Sequence, residues 1–386
     1  MHTLKPGWKM VKFGDVVTNA NLVERSPEKN GITRIVGLEH IDPENLHIHR
    51  WNNISEGTSF TRKFVPGQTL FGKRRAYQRK VAYAEFTGIC SGDILTFEPK
   101  DRNILLPELL PFICQSDAFF SHALDTSAGS LSPRTSWTAL KNFSFPLPPL
   151  DEQKRLAELL WAADDAVNKF SFCKEQLSKF IAIYIENVKN KYPNIPWKIK
   201  KLGDIAKVER GKFSHRPRNL PQFYGGPYPF AQTGDIRKSN GEITKFEYTL
   251  TDEGVKYSKS FPAGTILITI AAVIGATAIT TRETWATDSV VGIIPQKNID
   301  TYFLEYVLRT KKNYLENIAA TQTAQKNINL QILRPLEIII PPMEIQKIIV
   351  KEINNFKNKI LDFDSHIYRY HTLINSLSNS FEKEYV

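Results

Sequence analysis

The sequence predicts an α+β fold: two globular α/β domains in tandem, each followed by a long α-helix, with the two helices pairing as an antiparallel coiled coil. Two observations predict it. A part of the chain recurs after about 190 residues, and each copy ends in a heptad pattern of apolar residues. The expected division is 1–147 for the first globular domain, 148–192 for its helix, 193–340 for the second domain and 341–386 for its helix.

The repeat is clearest where each helix is expected to begin. Pro148–Lys154 reads PPLDEQK, and Pro341–Lys347 reads PPMEIQK, 193 residues later. A Pro-Pro pair does not continue a helix from upstream, and the helix dipole favours carboxylates in the first turn. Solenoid repeats have periods of roughly 20–50 residues. The chain is therefore expected to contain two copies of one large module.

Behind each Pro-Pro pair, apolar residues recur with the alternating spacing of four and three that is typical of supercoiled helices. Two such helices in one chain can pair with each other, although docking of another protein remains an alternative. The residues expected to pair are Leu156, Leu160, Ala163, Val167, Phe170, Leu177 and Ile181 in the first helix, and Ile349, Ile353, Phe356, Ile360, Phe363, Ile367, Tyr370 and Ile374 in the second.

The globular parts repeat more weakly. Trp8–Val16 (WKMVKFGDV) is similar to Trp197–Ile205 (WKIKKLGDI), and Phe64–Leu70 is similar to Phe261–Leu267. The two halves share little between these segments, so the scaffold is duplicated while the surfaces have diverged. The uncharged stretch 261–281 is interpreted as two buried strands with a turn rather than a membrane span, because it is rich in Thr and β-branched residues and contains Gly275.

The net charge of +11 lies on the globular domains. Residues 1–145 hold 18 Lys and Arg against 14 Asp and Glu, and residues 196–340 hold 20 against 13, whereas the helical segments together are neutral. A basic excess confined to part of a protein indicates a polyanionic partner. A basic surface without a partner remains the alternative.

The sequence argues against several classes of protein. The three cysteines have unrelated spacings, which excludes a disulfide framework or a zinc site and fits a reducing cytoplasm. No phosphate-binding loop, methylase motif or N-terminal signal occurs, so no catalytic or metal site is expected in this chain. Asp93, Glu98 and Lys100 resemble a metal-dependent nuclease pattern and keep an enzymatic alternative open. His47 and His49 are expected on one face of a strand.

The chain has the order domain, helix, domain, helix, and a Pro-Pro-hydrophobic-acidic-x-Gln motif stands at the start of each helix. This organisation resembles that of the specificity (S) subunit of Type I restriction-modification systems. The Trp-x-x-x-x-hydrophobic-Gly-Asp openings at Trp8 and Trp197, the segments Pro66–Leu70 and Ala263–Leu267, Gly129–Trp137 and Gln325–Ile328 are also similar to that family. The resemblance covers essentially the full chain.

This resemblance implies a non-catalytic reader of double-stranded DNA whose globular parts are target recognition domains. It also implies two methyltransferase (M) subunits and restriction/translocase (R) subunits as partners. S-adenosylmethionine, ATP and Mg would be bound by those partners, and no membrane would be involved. The target would be bipartite, with unequal half-sites. A helix of about 37 residues is roughly 55 Å long, and the half-sites are expected about one turn of B-DNA apart, centre to centre.

Lys and Arg neutralise phosphates, Arg can bind guanine bidentately, and amide side chains bind adenine. The residues expected to bind DNA are Lys73, Arg74, Arg75, Tyr77, Arg79, Lys80 and Arg134 in the first domain, and Arg210, Lys212, Arg216, Arg218, Gln232, Arg237, Gln325, Lys326 and Asn327 in the second. Besides the enzymatic alternative, two others remain: an S subunit of a related system whose partner combines nuclease and methyltransferase, and a coiled-coil adaptor that binds RNA or a membrane surface.

Overall fold

The computed structural model describes residues 4–129, 131–239, 241–320 and 327–379. The chain forms two compact units, one of Met1–Cys173 with Phe363–Val386 and the other of Lys174–Asp362. Each unit contains one globular domain and a part of each long helix. The division of the chain into compact units therefore passes through the two long helices, and the expected boundaries at 148, 193 and 341 stay a prediction.

The first globular domain is mostly short strands. Its strands are β1 (Lys9–Lys12), β2 (Val17–Asn19), β3 (Leu22–Val23), β4 (Arg34–Val36), β5 (Asn52–Asn53), β6 (Arg62–Phe64), β7 (Thr69–Gly72), β8 (Val81–Tyr83), β9 (Gly88–Cys90), β10 (Ile94–Pro99) and β11 (Ser144–Leu147). Its helices are α1 (Phe13–Val16), α2 (Leu110–Gln115), α3 (Asp117–Asp125) and α4 (Trp137–Leu140), and the long helix α5 (Leu150–Lys191) follows.

These strands form three sheets. Their strand orders are β1-β11, β2-β10-β7-β8 and β3-β6-β9-β4-β5. Clustered aromatic side chains fill the core between the second sheet and the helices; the ring centroids of Phe13 and Phe97 are 5.3 Å apart, and those of Phe71 and Phe119 are 5.4 Å apart. Such rings contribute large buried areas and edge-to-face contacts, which fix the loops that the sheets carry.

The second globular domain has a similar set of strands and helices. Its strands are β12 (Lys198–Lys201), β13 (Ala206–Arg210), β14 (Tyr224–Ala231), β15 (Glu242–Ile243), β16 (Tyr248–Leu250), β17 (Lys259–Phe261), β18 (Ile266–Thr269), β19 (Thr277–Thr280), β20 (Thr284–Ala286), β21 (Val290–Pro295) and β22 (Glu337–Ile340). Its helices are α6 (Leu202–Ile205), α7 (Thr233–Lys238), α8 (Asp252–Val255), α9 (Thr301–Thr310), α10 (Lys312–Ala320) and α11 (Leu330–Leu333), and the long helix α12 (Met343–Ser378) follows.

The two domains share one strand topology. The second has the orders β12-β22, β13-β21-β18-β19-β15 and β16-β14-β20-β17, which match the three sheets of the first domain strand for strand except for β3 in one domain and β15 in the other. The parallel pair β4–β9 also recurs as β14–β20. The duplicated scaffold expected from sequence is therefore present, and the stretch 261–281 is indeed strands joined by a turn.

A tight turn with a left-handed glycine recurs at one place in both domains. Gly67 lies between β6 and β7 with φ +88°, and Gly264 lies between β17 and β18 with φ +79°. Only glycine adopts this conformation without steric cost. The turn explains why Phe64–Leu70 and Phe261–Leu267 have kept similar sequences.

The first turn of each long helix is held by a buried glutamine. Gln153 donates Nε2 to the backbone oxygens of Ile104 and Pro148, both at 2.8 Å, and accepts from the backbone N–H of Leu106 at 3.0 Å. Gln346 makes the matching set with Asn298, Pro341 and Asp300. The shared glutamine of the repeated Pro-Pro motif therefore joins the start of each long helix to the loop that follows β10 in the first domain and β21 in the second.

The predicted pairing of the two long helices is confirmed, and it is seen within each compact unit. In the first unit Leu160, Ala163 and Val167 of α5 are buried in one cluster with Ile374 of α12. The ring of Phe170 stacks on that of His366 with centroids 4.8 Å apart and also contacts Phe363 and Tyr370. The beginning of α5 thus packs on the end of α12, which is the antiparallel arrangement.

In the second unit the end of α5 packs on the beginning of α12. Ile185 and Val188 are buried in one cluster with Ile349 and Ile353, and Ile181 lies against it. Phe356 contacts the rings of Phe180 and Tyr184. The other residues expected in the seam, Leu156, Leu177, Ile360 and Ile367, are half-buried.

Candidate nucleic-acid interface

The basic segment 73–80 connects β7 to β8. A single 3-10 turn, Ala76–Gln78, lies between Arg75 and Arg79, which have positive φ angles of 54° and 51°. Non-glycine residues adopt this conformation only where neighbouring contacts hold them. Here the backbone N–H of Arg75 donates to the oxygen of Pro133 at 2.8 Å. Arg75 and Tyr77 are exposed at the surface of this loop.

Two of the basic residues in this segment bind other parts of their own domain. Arg79 lies 2.7 Å from a carboxylate oxygen of Asp117, donates to the backbone oxygen of Gln115 at 2.7 Å and stacks over the ring of Phe120. Lys80 donates Nζ to the backbone oxygen of Leu38 at 2.6 Å. Arg79 and Lys80 therefore hold the loop in place. The concentration of basic residues in segment 73–80 did not distinguish these two from the exposed Arg75.

Three loops of the first domain converge beside this segment. The backbone N–H of Lys73 donates to the oxygen of Asp93 at 2.9 Å, and that of Thr135 donates to the oxygen of Lys73 at 3.0 Å. Arg74 and Arg134 consequently meet at the carboxylate of Asp93, with Nη1 and Nε lying 3.7 Å and 3.1 Å from its oxygens. Burial and the nearby charge of Arg62 lower the pKa of Lys73. The structure thus brings Lys73, Arg74 and Arg134 together.

The second domain gathers three arginines at Asp288. Arg218 lies 2.5 Å and Arg216 3.6 Å from the same carboxylate oxygen, and Arg210 donates Nε to the backbone oxygen of Asp288 at 2.5 Å. Lys212 is exposed on the same segment. This set comes from the end of β13 and the loop that follows it.

The remaining candidates of the second domain lie elsewhere. Gln232 precedes α7, where its backbone N–H donates to the carboxylate of Asp235 at 2.9 Å, and Arg237 is exposed near the end of that helix. Gln325 and Lys326 lie outside the described residues. Asn327 is half-buried in a loop held like that of Arg134, since the N–H of Ile328 donates to the oxygen of Ile270 at 3.0 Å.

The carboxylates of the nuclease-like pattern have other partners. Asp93 pairs with the two arginines, and Glu98 accepts from Nε2 of Gln68 at 2.7 Å. In the described part of the chain, no three His, Cys, Asp or Glu side chains are grouped as metal ligands would be. Sequence analysis did not single out Asp288. The available signal was an aspartate just before a strand in both domains, Asp93 before β10 and Asp288 before β21.

His47 connects the first domain to α5. Its Nε2 lies 2.7 Å from Asp164 and its Nδ1 lies 2.8 Å from Glu85, and the hydrogen bond to Asp164 with the charges of both carboxylates raises the pKa of His47 to about 9. The expected strand at His47–His49 is wrong, because this segment is irregular. The two imidazoles nevertheless stack, with centroids 5.9 Å apart.

None of the helices among the described residues is long and apolar enough to cross a membrane. Several large apolar side chains of the long helices are exposed. In the first unit they are Leu159, Phe172, Tyr368 and Leu373, and in the second Phe180, Ile183, Ile348 and Leu361.

Comparison with known proteins gives one family. The model of the Type I restriction modification DNA specificity domain matches twice, at residues 5–172 and 194–368. Curated relatives include the Type I restriction enzyme HindI specificity subunit of Haemophilus influenzae, 28% identical over 169 residues, and the MjaIX specificity subunit of Methanocaldococcus jannaschii, 30% identical over 171. These alignments cover 43% and 42% of this chain but only 36% and 38% of the relatives.

Two solved structures share the fold over nearly the whole length. A chain from a structural study of complex assembly and conformational transition of the type I R-M system gives a TM-score of 0.62 at 20% identity, with full coverage of both chains. The S subunit of the Type I system of M. genitalium gives 0.57 at 12% identity, covering 97% of this chain and 96% of that one. With the double match of the family model, these findings show that the chain belongs to the Type I restriction-modification DNA specificity family and carries two copies of its domain.

Proposed function

We propose that this chain is the sequence-reading subunit of a cytoplasmic Type I restriction-modification complex. Each globular domain binds one half of a bipartite duplex target, and the chain itself performs no catalysis. The observation that carries the proposal is the pair of matching sheet topologies with different arginine-rich loops, one set at Asp93 and the other at Asp288. A common scaffold with divergent loops is what two unequal half-sites require.

The long helices support a scaffolding role. They contain 42 and 36 residues, so at 1.5 Å per residue they are about 63 Å and 54 Å long. A turn of B-DNA is about 34 Å, and we propose half-sites about one turn apart, centre to centre. The exposed apolar side chains of these helices would dock two methyltransferase subunits, with restriction subunits joining that assembly. S-adenosylmethionine, ATP and Mg would be bound by those partners.

The test uses the purified chain in complex with its methyltransferase. Methyl transfer from S-adenosylmethionine is measured on a pool of duplexes of varied sequence, with and without this chain, while RNA and anionic vesicles are offered as competitors. We expect transfer that depends on this chain and on duplex sequence, with little competition. Transfer that ignores sequence, or tight binding to RNA or vesicles instead of duplex, would overturn the proposal in favour of an adaptor.

A further inference from the structure

A carboxylate occupies the same loop of the shared topology in both domains. Asp93 lies between β9 and β10, and Asp288 lies between β20 and β21, the matching pair of strands. Each holds arginines that are distant in sequence. Two guanidinium groups meet one carboxylate in the first domain, and three arginines meet Asp288 in the second, so each cluster keeps an excess of positive charge.

The acid lies deeper than the arginines that bind its side chain. The side chain of Asp93 is 22% exposed, against 40% for Arg74 and 49% for Arg134. That of Asp288 is 32% exposed, against 56% for Arg216 and 39% for Arg218. The carboxylates therefore support the guanidinium groups from the protein side, while parts of the guanidinium groups reach the surface.

We propose that Asp93 and Asp288 are positioning residues that orient these arginines for DNA, an inference that rests on the proposed function. A guanidinium has five donors in a rigid plane, and a carboxylate that accepts from one edge fixes that plane. Arg134 uses Nε for Asp93, and its Nη groups make no hydrogen bond among the described residues. A guanidinium group held in this way can bind a phosphate or the edge of a guanine with less loss of side-chain entropy than a freely rotating one.

The competing explanation is that these acids only reduce the positive charge of the surface. The two explanations predict opposite changes in affinity for the target DNA when the acid is neutralised. If the acids merely oppose phosphates, their neutralisation strengthens binding to any DNA. If they orient arginines, neutralisation weakens binding to the target while binding to unrelated DNA stays the same or increases.

The experiment uses the full chain in complex with its methyltransferase, carrying Asp93→Asn or Asp288→Asn. Binding is measured on a duplex with the methylated motif and on one of unrelated sequence. We expect each variant to bind the motif roughly 5- to 30-fold more weakly. The loss of base discrimination should fall in one half of the motif for Asp93→Asn and in the other half for Asp288→Asn. Asp93→Glu and Asp288→Glu should recover part of the preference.

Asp42→Asn and Glu253→Gln are matched controls, because each removes an exposed carboxylate paired with Arg50 or Lys256 outside these clusters. We expect both to keep the wild-type preference. If the Asn variants are unstable, Arg134→Lys and Arg218→Lys test the same idea, since lysine keeps the charge and loses the planar guanidinium group. Unchanged or tighter motif binding by these variants would overturn the inference. A wild-type complex without sequence preference would instead overturn the proposed function.

Discussion

At the residue scale, the most informative side chains are those that appear twice. Gln153 and Gln346 each accept one and donate two hydrogen bonds, with partners in the preceding Pro-Pro pair and in a loop 46 to 49 residues upstream, and both are almost completely buried. A buried amide with all its partners fixes the direction in which the chain leaves the globular domain. The glutamine of the Pro-Pro motif thus attaches each long helix to its globular domain, and this structural role explains why the motif occurs in both halves of the sequence.

Gln153→Ala and Gln346→Ala should each lower the free energy of unfolding by about 2–3 kcal/mol, because three backbone groups lose a partner in a buried site. Denaturant unfolding of the full chain measures this loss. Gln176→Ala, on the exposed side of α5, is the control and should have little effect. Equal stability of all three variants would contradict the assignment.

His47 makes the stability of the first unit dependent on pH. Its pKa is raised to about 9, with Asp164 as the main cause, so the folded state holds the proton more tightly than the unfolded state. The stabilisation is fully present below the unfolded pKa of about 6.5 and is lost as pH rises through about 9.

The melting temperature of the wild type should therefore fall more between pH 6.5 and 9 than that of His47→Gln. A calorimetric pH series on both proteins measures the difference. His49→Gln, which alters the neighbouring stacked ring, should retain the wild-type pH dependence. The same slope for His47→Gln as for the wild type would contradict the role given to the Asp164 pair.

At the scale of the elements, residues of one long helix differ widely in burial. Ile353 is completely buried in the helix pair, whereas Leu361, on the same helix, is 56% exposed. Packing explains the first position, and under the proposed function the exposed side chain of Leu361 would contact a methyltransferase subunit.

Ile353→Ala should cost about 2–4 kcal/mol in unfolding free energy, because it leaves a cavity in the seam. Leu361→Ala should change stability by less than about 0.5 kcal/mol but weaken copurification with the methyltransferase. Denaturant unfolding and a pull-down with the methyltransferase separate these effects. Retention of the methyltransferase by Leu361→Ala would contradict docking of the methyltransferase at this residue.

The turn between β17 and β18 offers a second test at this scale. Gly264 has a φ of +79°, and among the described residues no neighbouring atom lies within 4 Å of the place that a Cβ would take, so alanine there meets backbone strain without a clash. Gly264→Ala should destabilise by about 1–2 kcal/mol. Gly234→Ala, inside α7 and with the same open space around it, should be neutral or stabilising, and thermal unfolding of both variants checks the contrast.

At the scale of the whole molecule, the sequence predicted those features of the fold that short sequence patterns specify. The Pro-Pro pairs, the heptads and the repeated glycine turns specify helix starts, the helix pair and the duplicated strands. The arginine clusters were only partly predicted. Arg134 and Asp93 are 41 positions apart, and Arg218 and Asp288 are 70 apart. These pairs become neighbours only in the tertiary structure, so no local sequence pattern predicts them. Arg79 shows the same limit, because its partners Asp117 and Gln115 come from other segments.

The most direct measurement is single-molecule sequencing of N6-methyladenine in cells that carry this gene with its methyltransferase, against cells that lack only this gene. The account predicts a split motif of two unequal halves, about one helical turn apart centre to centre, which disappears with the gene. A contiguous motif, a gap of two or more turns, or methylation that persists without the gene would contradict it.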